Sequence, residues 1–266
     1  MVVDRSRRGC LLCGAEFVGR AFLCRECAAR YRREEPPVAL RQRFYEAVDR
    51  TYPDWANTFG AYNLPEGLLR ILGAQPRQAV ILELGAGGGF LLQALQQLGF
   101  SMLIGLDLAR TALGSLRTRV PGSHAVCGDA ECLPFRTGSL DIVISSDLIE
   151  HLSCPGRHFQ EVARVLRPGG LYAFKTPNRL LAVPYYRLAG LYDYPFWHPS
   201  LFSPGELRAC LTSNGFTCTF VAQPRLTPAQ LRKIPIGGLR SILRHLPVGR
   251  LPLRLRPHLE VVAERQ

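Results

Sequence analysis

The sequence predicts an α/β protein with a doubly wound, mostly parallel sheet and a small cysteine-rich module ahead of it. Three observations carry that expectation. After Pro76, short apolar runs alternate with stretches of helical spacing, the pattern of strands joined by right-handed helical crossovers. A glycine-rich turn, Gly85-Ala86-Gly87-Gly88-Gly89, joins the first of those strands to the first helix. Four of the nine cysteines fall in two Cys-x-x-Cys pairs within residues 10–27, a spacing that suits a metal better than disulfides. The 266 residues hold one full α/β domain plus an appendage, and the 47% apolar content is enough for a core.

Residues 1–35 read as a zinc-ribbon-like module and residues 36–77 as a helical lid or linker. The main domain then spans 78–266, with an insertion at 179–202 and a basic connection at 223–258. Pro36-Pro37 marks the first boundary. From Val38 to Leu72 the spacing is helical, and Pro53 and Pro65 divide it into two or three short helices. Strands are expected at Ala79–Leu84, Met102–Leu106, His124–Cys127, Leu140–Ser145, Leu171–Thr176, Thr217–Ala222 and Leu259–Ala263. Helices are expected at Phe90–Leu98, Thr111–Val120, Gly156–Leu166 and Pro204–Asn214. The last carries Ser203 and Glu206 in capping-box spacing.

In this context the glycine turn lets the backbone approach a ligand closely. Three acids follow one another at successive strand ends: Glu83, then Asp107, 22 positions after Gly85, then Asp129. Such strand ends converge on one crevice in an open α/β sheet. No Gly-Lys-Ser/Thr follows the turn, so a triphosphate cradle is not indicated. Glu83 would repel a pyrophosphate and suits a cationic amine instead. S-adenosylmethionine has an ammonium, a ribose and an adenine, which the three acids match in order.

At this point the sequence resembles the class I S-adenosylmethionine-dependent methyltransferases over about residues 78–222 and the closing strand. Val80 to Gly89 matches the first motif of that family, Gly105-Leu-Asp-Leu108 the second, and Gly128 to Phe135 the adenine-side motif. Ser146 to Leu152 resembles the segment after the fourth strand, and Arg164 to Gly170 the turn before the fifth. His198, Phe202 to Leu207 and Asn214-Gly-Phe216 resemble a segment of the subgroup that includes ubiquinone-pathway O-methyltransferases. The resemblance implies a seven-stranded sheet whose last strand is antiparallel. It also implies cofactor contacts from Glu83, Gly85, Ala86, Gly87, Gly89, Asp107, Leu108, Asp129, Ala130 and Ser146.

A methyl on a sulfonium is already activated, so the protein has mainly to align an acceptor with it. An oxygen acceptor also has to lose a proton. His151, after the fourth strand, is the first candidate base and His198 the second; either can equally be a satisfied structural histidine. Aromatics at 44–62 and 185–197 are candidates for an apolar acceptor pocket, against the alternative of ordinary packing. Cys10, Cys13, Cys24 and Cys27 can place four thiolates around one structural zinc, and a closed four-cysteine site leaves no position for catalysis. The other five cysteines read as small apolar groups.

The net charge of +12 is concentrated at the ends: residues 1–33 carry +5 and residues 224–266 carry +7. Basic ends suit RNA, an anionic membrane surface or an acidic substrate. No stretch of ~20 uninterrupted apolar residues exists for a membrane span, and no secretory h-region opens the chain, so a cytoplasmic location is expected. The favoured acceptor is a small or lipid-like molecule. The alternative is RNA gripped by the zinc module and the basic ends. Some ribosomal RNA guanine methyltransferases combine a zinc module with this fold, but Asp147-Leu-Ile-Glu150 stands where a base-stacking Asn-Pro-Pro-aromatic tetrapeptide is expected. The oligomeric state is not legible in the sequence.

Overall fold

The structure, a computed structural model, describes residues 7–32, 34–52, 60–234 and 237–266. The N-terminal segment forms a short hairpin, β1 (Arg7–Gly9) and β2 (Glu16–Val18), followed by α1 (Arg25–Arg30). Next come α2 (Val38–Thr51), a 3-10 turn at Gly60–Tyr62 and α3 (Glu66–Leu72). Pro53, Trp55 and Phe59 lie outside the described residues.

From Ile81 the chain alternates as expected: β3 (Ile81–Leu84), α4 (Phe90–Gln97), β4 (Leu103–Asp107), α5 (Arg110–Arg119) and β5 (His124–Cys127). It continues through β6 (Leu140–Ser146), α6 (Pro155–Val165), β7 (Leu166–Pro177), α7 (Arg179–Leu188) and the single turn α8 (Tyr194–Trp197). It ends with α9 (Pro204–Ser213), β8 (Phe216–Val221), the short helices α10 (Pro228–Arg232) and α11 (Gly237–Leu243), and β9 (His258–Arg265). The seven strands stand in the order β5-β4-β3-β6-β7-β9-β8. β9 runs antiparallel to both of its neighbours, and the other pairs are parallel. The sheet and its closing antiparallel strand are therefore those the sequence implied.

Alternation along each strand feeds two cores, one on each face of the sheet. Leu82, Leu84, Val143, Tyr172 and Phe174 face α6 and α9, whose Phe159, Val162 and Leu207 complete that core. Ile81, Ile142, Ile144 and Ala173 face the opposite way, toward Leu72 of α3, Leu92 of α4 and Leu116 of α5. β7 begins earlier than expected. Leu166 already pairs with Leu140, the ladder then slips, and it resumes at Leu171 opposite Ile142. The Arg-Pro-Gly-Gly segment therefore bulges out of the strand. The Ser203–Glu206 capping box is formed in both directions.

A third core lies away from the sheet. It joins Cys10, Leu23 and Ala28 of the N-terminal segment, Phe44 and Val48 of α2, and Tyr186, Phe196 and Trp197 of the insertion. Phe44 and Phe196 meet edge to face at 4.9 Å, and Phe22 and Trp197 at 5.8 Å, the preferred geometry for aromatic pairs. Most of the aromatics considered for an acceptor pocket are therefore packing groups, because burying them is what docks the cysteine-rich segment. Asp193 closes the joint: its Oδ2 accepts the amides of Phe22 at 2.7 Å and Leu23 at 3.1 Å. The Tyr192 hydroxyl donates to the Leu23 carbonyl.

Candidate active site

The strand order reverses between β3 and β6, and a cleft of about 410 Å³ lies at that point, beyond the C-terminal ends of both strands. Glu83, Gly85, Ala86, Gly87, Gly88 and Phe90 form one wall. Gly85, Gly87 and Gly89 adopt φ of 67°, 49° and 80°, a left-handed backbone that glycine reaches without a Cβ penalty. At Gly89 a Cβ would also come within 3.2 Å of Leu116 and Val120, so the turn can lie tightly against α5. Arg119 pins the turn from outside. Its Nε donates to the Gly88 carbonyl at 2.7 Å, and its guanidinium stacks 3.8 Å from the centre of the Phe90 ring.

The three predicted acids are held differently. Glu83 is buried on the cleft wall, and its Oε2 accepts the Leu92 amide at 3.2 Å. Burial raises its pKa well above the usual carboxylate range. Asp107 ends β4. Its Oδ2 accepts the Gly87 amide and its Oδ1 the Ala109 amide, both at 2.8 Å. Burial pushes it up to about 6 against those two bonds. Asp129 meets Arg41 of α2: Nη2 lies 3.2 Å from Asp129 Oδ2 and 3.1 Å from Glu131 Oε2. Gly89, Asp107, Leu108, Asp129 and Ala130 are not among the residues lining the cleft. Asp107 touches it through Gly87, and Ala130 is buried with its carbonyl bonded to His158 Nδ1.

The facing wall is built by Tyr45, Val48 and Asp49 of α2 together with Asn63, Ser146, Asp147 and His151. Asp147 follows β6 with φ of 54°, the single described non-glycine residue with positive φ. Such strain persists only where surroundings enforce it, and here they do. Lys175 Nζ, fully buried, lies 3.0 Å from Asp147 Oδ2, and Asn63 Nδ2 donates to the same oxygen at 2.6 Å. His258 Nε2 faces Oδ1 at 3.5 Å, while Gln230 Nε2 donates to His258 Nδ1 at 2.6 Å, which leaves the ring proton on Nε2. Burial alone would raise the Asp147 pKa, but Lys175 and then His258 hold it below the usual range. Three carboxyls near one crevice thus diverge: Glu83 and the buried Glu150 are pushed up, and Asp147 is pulled down.

His151 lines the cleft, and His198 stands behind it, buried, with ring centroids 4.4 Å apart. Tyr45 Oη meets His151 Nδ1 at 3.2 Å, and the ring also bonds the Trp197 backbone. Burial lowers His151 to about 4, so the ring is neutral at neutral pH. His198 Nδ1 pairs with Tyr186 Oη at 2.9 Å. Of the aromatics considered for an acceptor pocket, Tyr45 is the one on the described wall.

The family model of the methyltransferase domain matches residues 82–174, the span that contains the glycine turn and the Ser146, Asp147 and His151 part of the facing wall. Residues 82–174 are a class I S-adenosylmethionine-dependent methyltransferase domain. The chain is 29% identical over 184 residues to a probable S-adenosylmethionine-dependent methyltransferase of Mycolicibacterium smegmatis, covering 68% of this chain and 69% of that protein. It is 30% identical over 152 residues to a ubiquinone biosynthesis O-methyltransferase of Sinorhizobium fredii, covering 52% of this chain and 60% of that protein. The chain spans 69% of the length of the M. smegmatis relative and 29% of that of a biotin biosynthesis bifunctional protein of Cellvibrio japonicus, to which it is 36% identical over 148 residues, 50% of this chain. A chain of the Haloferax volcanii complex of the Trm112 methyltransferase activator with a methyltransferase superposes with TM-score 0.63 at 18% identity, covering 83% of this chain and 96% of that one. That likeness is one of fold.

Outside the methyltransferase domain, Cys10, Cys13, Cys24 and Cys27 bring their sulfurs within 4.8 Å of one another. Cys13 and Cys24 Sγ are 3.7 Å apart, and Cys24 Sγ caps α1 by accepting the Cys27 amide at 3.5 Å. Sequence reasoning did not single out Arg41, Asn63, Asp147 or Lys175. Asp147 had a signal, since it ends the strand at the reversal point. Arg41 and Asn63 had none, because their partners lie 88–90 and 84 residues away.

Proposed function

We propose that the protein transfers the methyl group of S-adenosylmethionine to a small-molecule or lipid-like acceptor. The observation that carries this reading is one cleft with two unlike walls: the glycine turn on one side and an oriented polar set, Asn63, Asp147 and His151, on the other. The S. fredii relative, named as an O-methyltransferase of ubiquinone biosynthesis, supports an acceptor of this class.

S-adenosylmethionine, when bound, supplies a methyl group already activated by its sulfonium. The left-handed glycine turn fits it, since Gly87 carries no Cβ toward the cleft and has no atom within 4 Å of where one would stand. Glu83 and Ser146 would hold the cationic amino-acid end, with Gly85, Ala86 and Gly89 shaping the turn around it. Asp107 uses one lone pair of each oxygen on the backbone and keeps others for the ribose hydroxyls. Asp129, oriented by Arg41, would accept from the adenine amine beside Leu108 and Ala130. On the facing wall the ionised Asp147 and neutral His151 would orient the acceptor, and His151 would take its proton. His198 would position His151 from behind.

The four cysteines fit one structural zinc. Tetrahedral Zn–S bonds of about 2.3 Å put the sulfurs about 3.8 Å apart, close to the 3.7 Å between Cys13 and Cys24. The module would then hold α2 and the insertion against the domain rather than perform chemistry. On these readings the chain would divide into a metal module, a helical lid and the main domain.

The test is incubation with methyl-labelled cofactor and fractionated cell extract, with and without ribonuclease. Label entering a ribonuclease-insensitive organic fraction supports the proposal. Label entering a polymer that ribonuclease destroys makes RNA the acceptor and overturns it.

A further inference from the structure

The chain between β8 and β9 carries eight Lys or Arg and no Asp or Glu from residue 224 to residue 258. The first 14 residues of the insertion, 179–192, add Arg187 and Arg179, the latter paired with Glu206 at 2.7 Å. The fold brings the two segments together. Asn178, which caps α7, donates to the carbonyls of Leu253 and Arg256 at 3.1 and 2.9 Å, and α7 packs on the turn at 253–255. Lys233, at the end of α10, lies 5.8 Å from the centre of the Tyr185 ring of α7, and α11 packs on α10.

On these elements large aliphatic side chains point into solvent. Leu188 is 77% exposed, Ile242 70% and Leu255 55%. Each has a cation within two residues of it in sequence: Arg187, then Arg240 and Arg244, then Arg254. An ordinary solvated surface mixes both signs of charge and hides its aliphatics. Cations of one sign around exposed aliphatics are instead the composition of a surface that rests on an anionic bilayer, with the charges at the headgroups and the apolar tips below them. RNA would take the same cations but would look for aromatic faces on which bases stack. The exposed apolar groups here are Leu and Ile.

We infer that the face formed by α7, α11 and the 253–255 turn docks on an anionic lipid surface. α10, on which α11 packs, reaches toward the cleft: Arg232 stacks on Tyr62 at 4.3 Å, and the next residue, Asn63, lines the cleft wall. Docking there would bring the acceptor wall next to the bilayer. That consequence rests on the lipid-like acceptor proposed above; the docking itself does not.

The full chain should be tested by flotation with phosphatidylcholine vesicles, with and without added phosphatidylglycerol, and by competition with polyuridine. Association is expected with the anionic vesicles alone, and it should weaken as salt is raised. The paired change Arg240→Glu and Arg244→Glu should weaken it by about tenfold or more. Leu188→Asp with Ile242→Asp should abolish it while S-adenosylmethionine binding, read by calorimetry, stays unchanged. All four positions are exposed and outside the core, so folding is not at stake. Absence of binding to anionic vesicles would overturn the inference. So would binding that the aspartate variants leave intact, or tight polyuridine binding without vesicle binding. Because flotation needs neither cofactor nor turnover, its failure is distinguishable from failure of the methyl-transfer reading.

Discussion

The two walls of the cleft are built in opposite ways. The glycine wall comes from one continuous run, β3-turn-α4-β4, and its key bonds are short-range: Glu83 to Leu92 and Gly87 to Asp107. The facing wall is assembled from distant pieces. Asn63 meets Asp147 across 84 residues, Tyr45 meets His151 across 106, and Asp193 reaches Phe22 across 171. The first wall is set by local backbone geometry. The second stands only while the N-terminal segment, α2 and the insertion stay packed together. A change to that packing should therefore fall first on the acceptor side and reach the cofactor side only through Arg41 and Asp129.

Arg41→Ala should have the largest effect, on the wall assembled from distant pieces. It leaves the buried Glu131 without its cationic partner, with only the Cys154 amide still donating to it, and releases α2 from Asp129. Loss of one member of a buried ion pair costs about 3–5 kcal/mol, measurable by urea unfolding. A stability loss under 1 kcal/mol would mean that α2 is not latched there.

Asp107→Ala acts on the other wall. Two bonds from ribose hydroxyls to a charged group are worth about 1.5–3 kcal/mol each. Cofactor affinity should fall by roughly 100-fold or more while the aromatic core stays intact by near-ultraviolet circular dichroism. Unchanged affinity would remove Asp107 from the ribose site.

His151→Gln should reduce turnover by a factor of about 100 or more if the acceptor loses a proton to it, with cofactor affinity preserved. An equal loss of cofactor binding would instead make His151 a packing residue.

The smallest effect is one of pH. Asp107 sits at about 6, raised by burial. It is ionised above that pH and protonated below it, so cofactor affinity should be full at pH 7 to 8 and decline as pH falls through about 6. The Asp107→Ala variant should lose that pH dependence.

Much of the sheet was legible in the sequence because each strand is a short apolar run bounded by a glycine, a proline or an acid. The β7 boundary was misplaced because Leu166 pairs before the Arg-Pro-Gly-Gly bulge, and a proline and two glycines read as a plain turn. The glycine wall was legible for the same local reason. The facing wall was largely not. The insertion's aromatics announce burial without naming what they bury against, and nothing near Arg41 or Asn63 points to partners 84–90 residues on. Asp147 is the intermediate case: its place after β6 was visible, but its ionisation depends on Lys175 and His258, which only the fold brings near.

The glycine wall should bind S-adenosylmethionine whether or not the cysteine module holds its metal. Calorimetric titration of the purified protein with S-adenosylmethionine, before and after removal of metal by a chelator, tests it most directly. One-to-one binding is expected in both states, with affinity changed by less than about tenfold, since the four cysteines lie outside the glycine turn and its cleft. Absence of binding to the untreated protein, or loss of binding together with the metal, would contradict it.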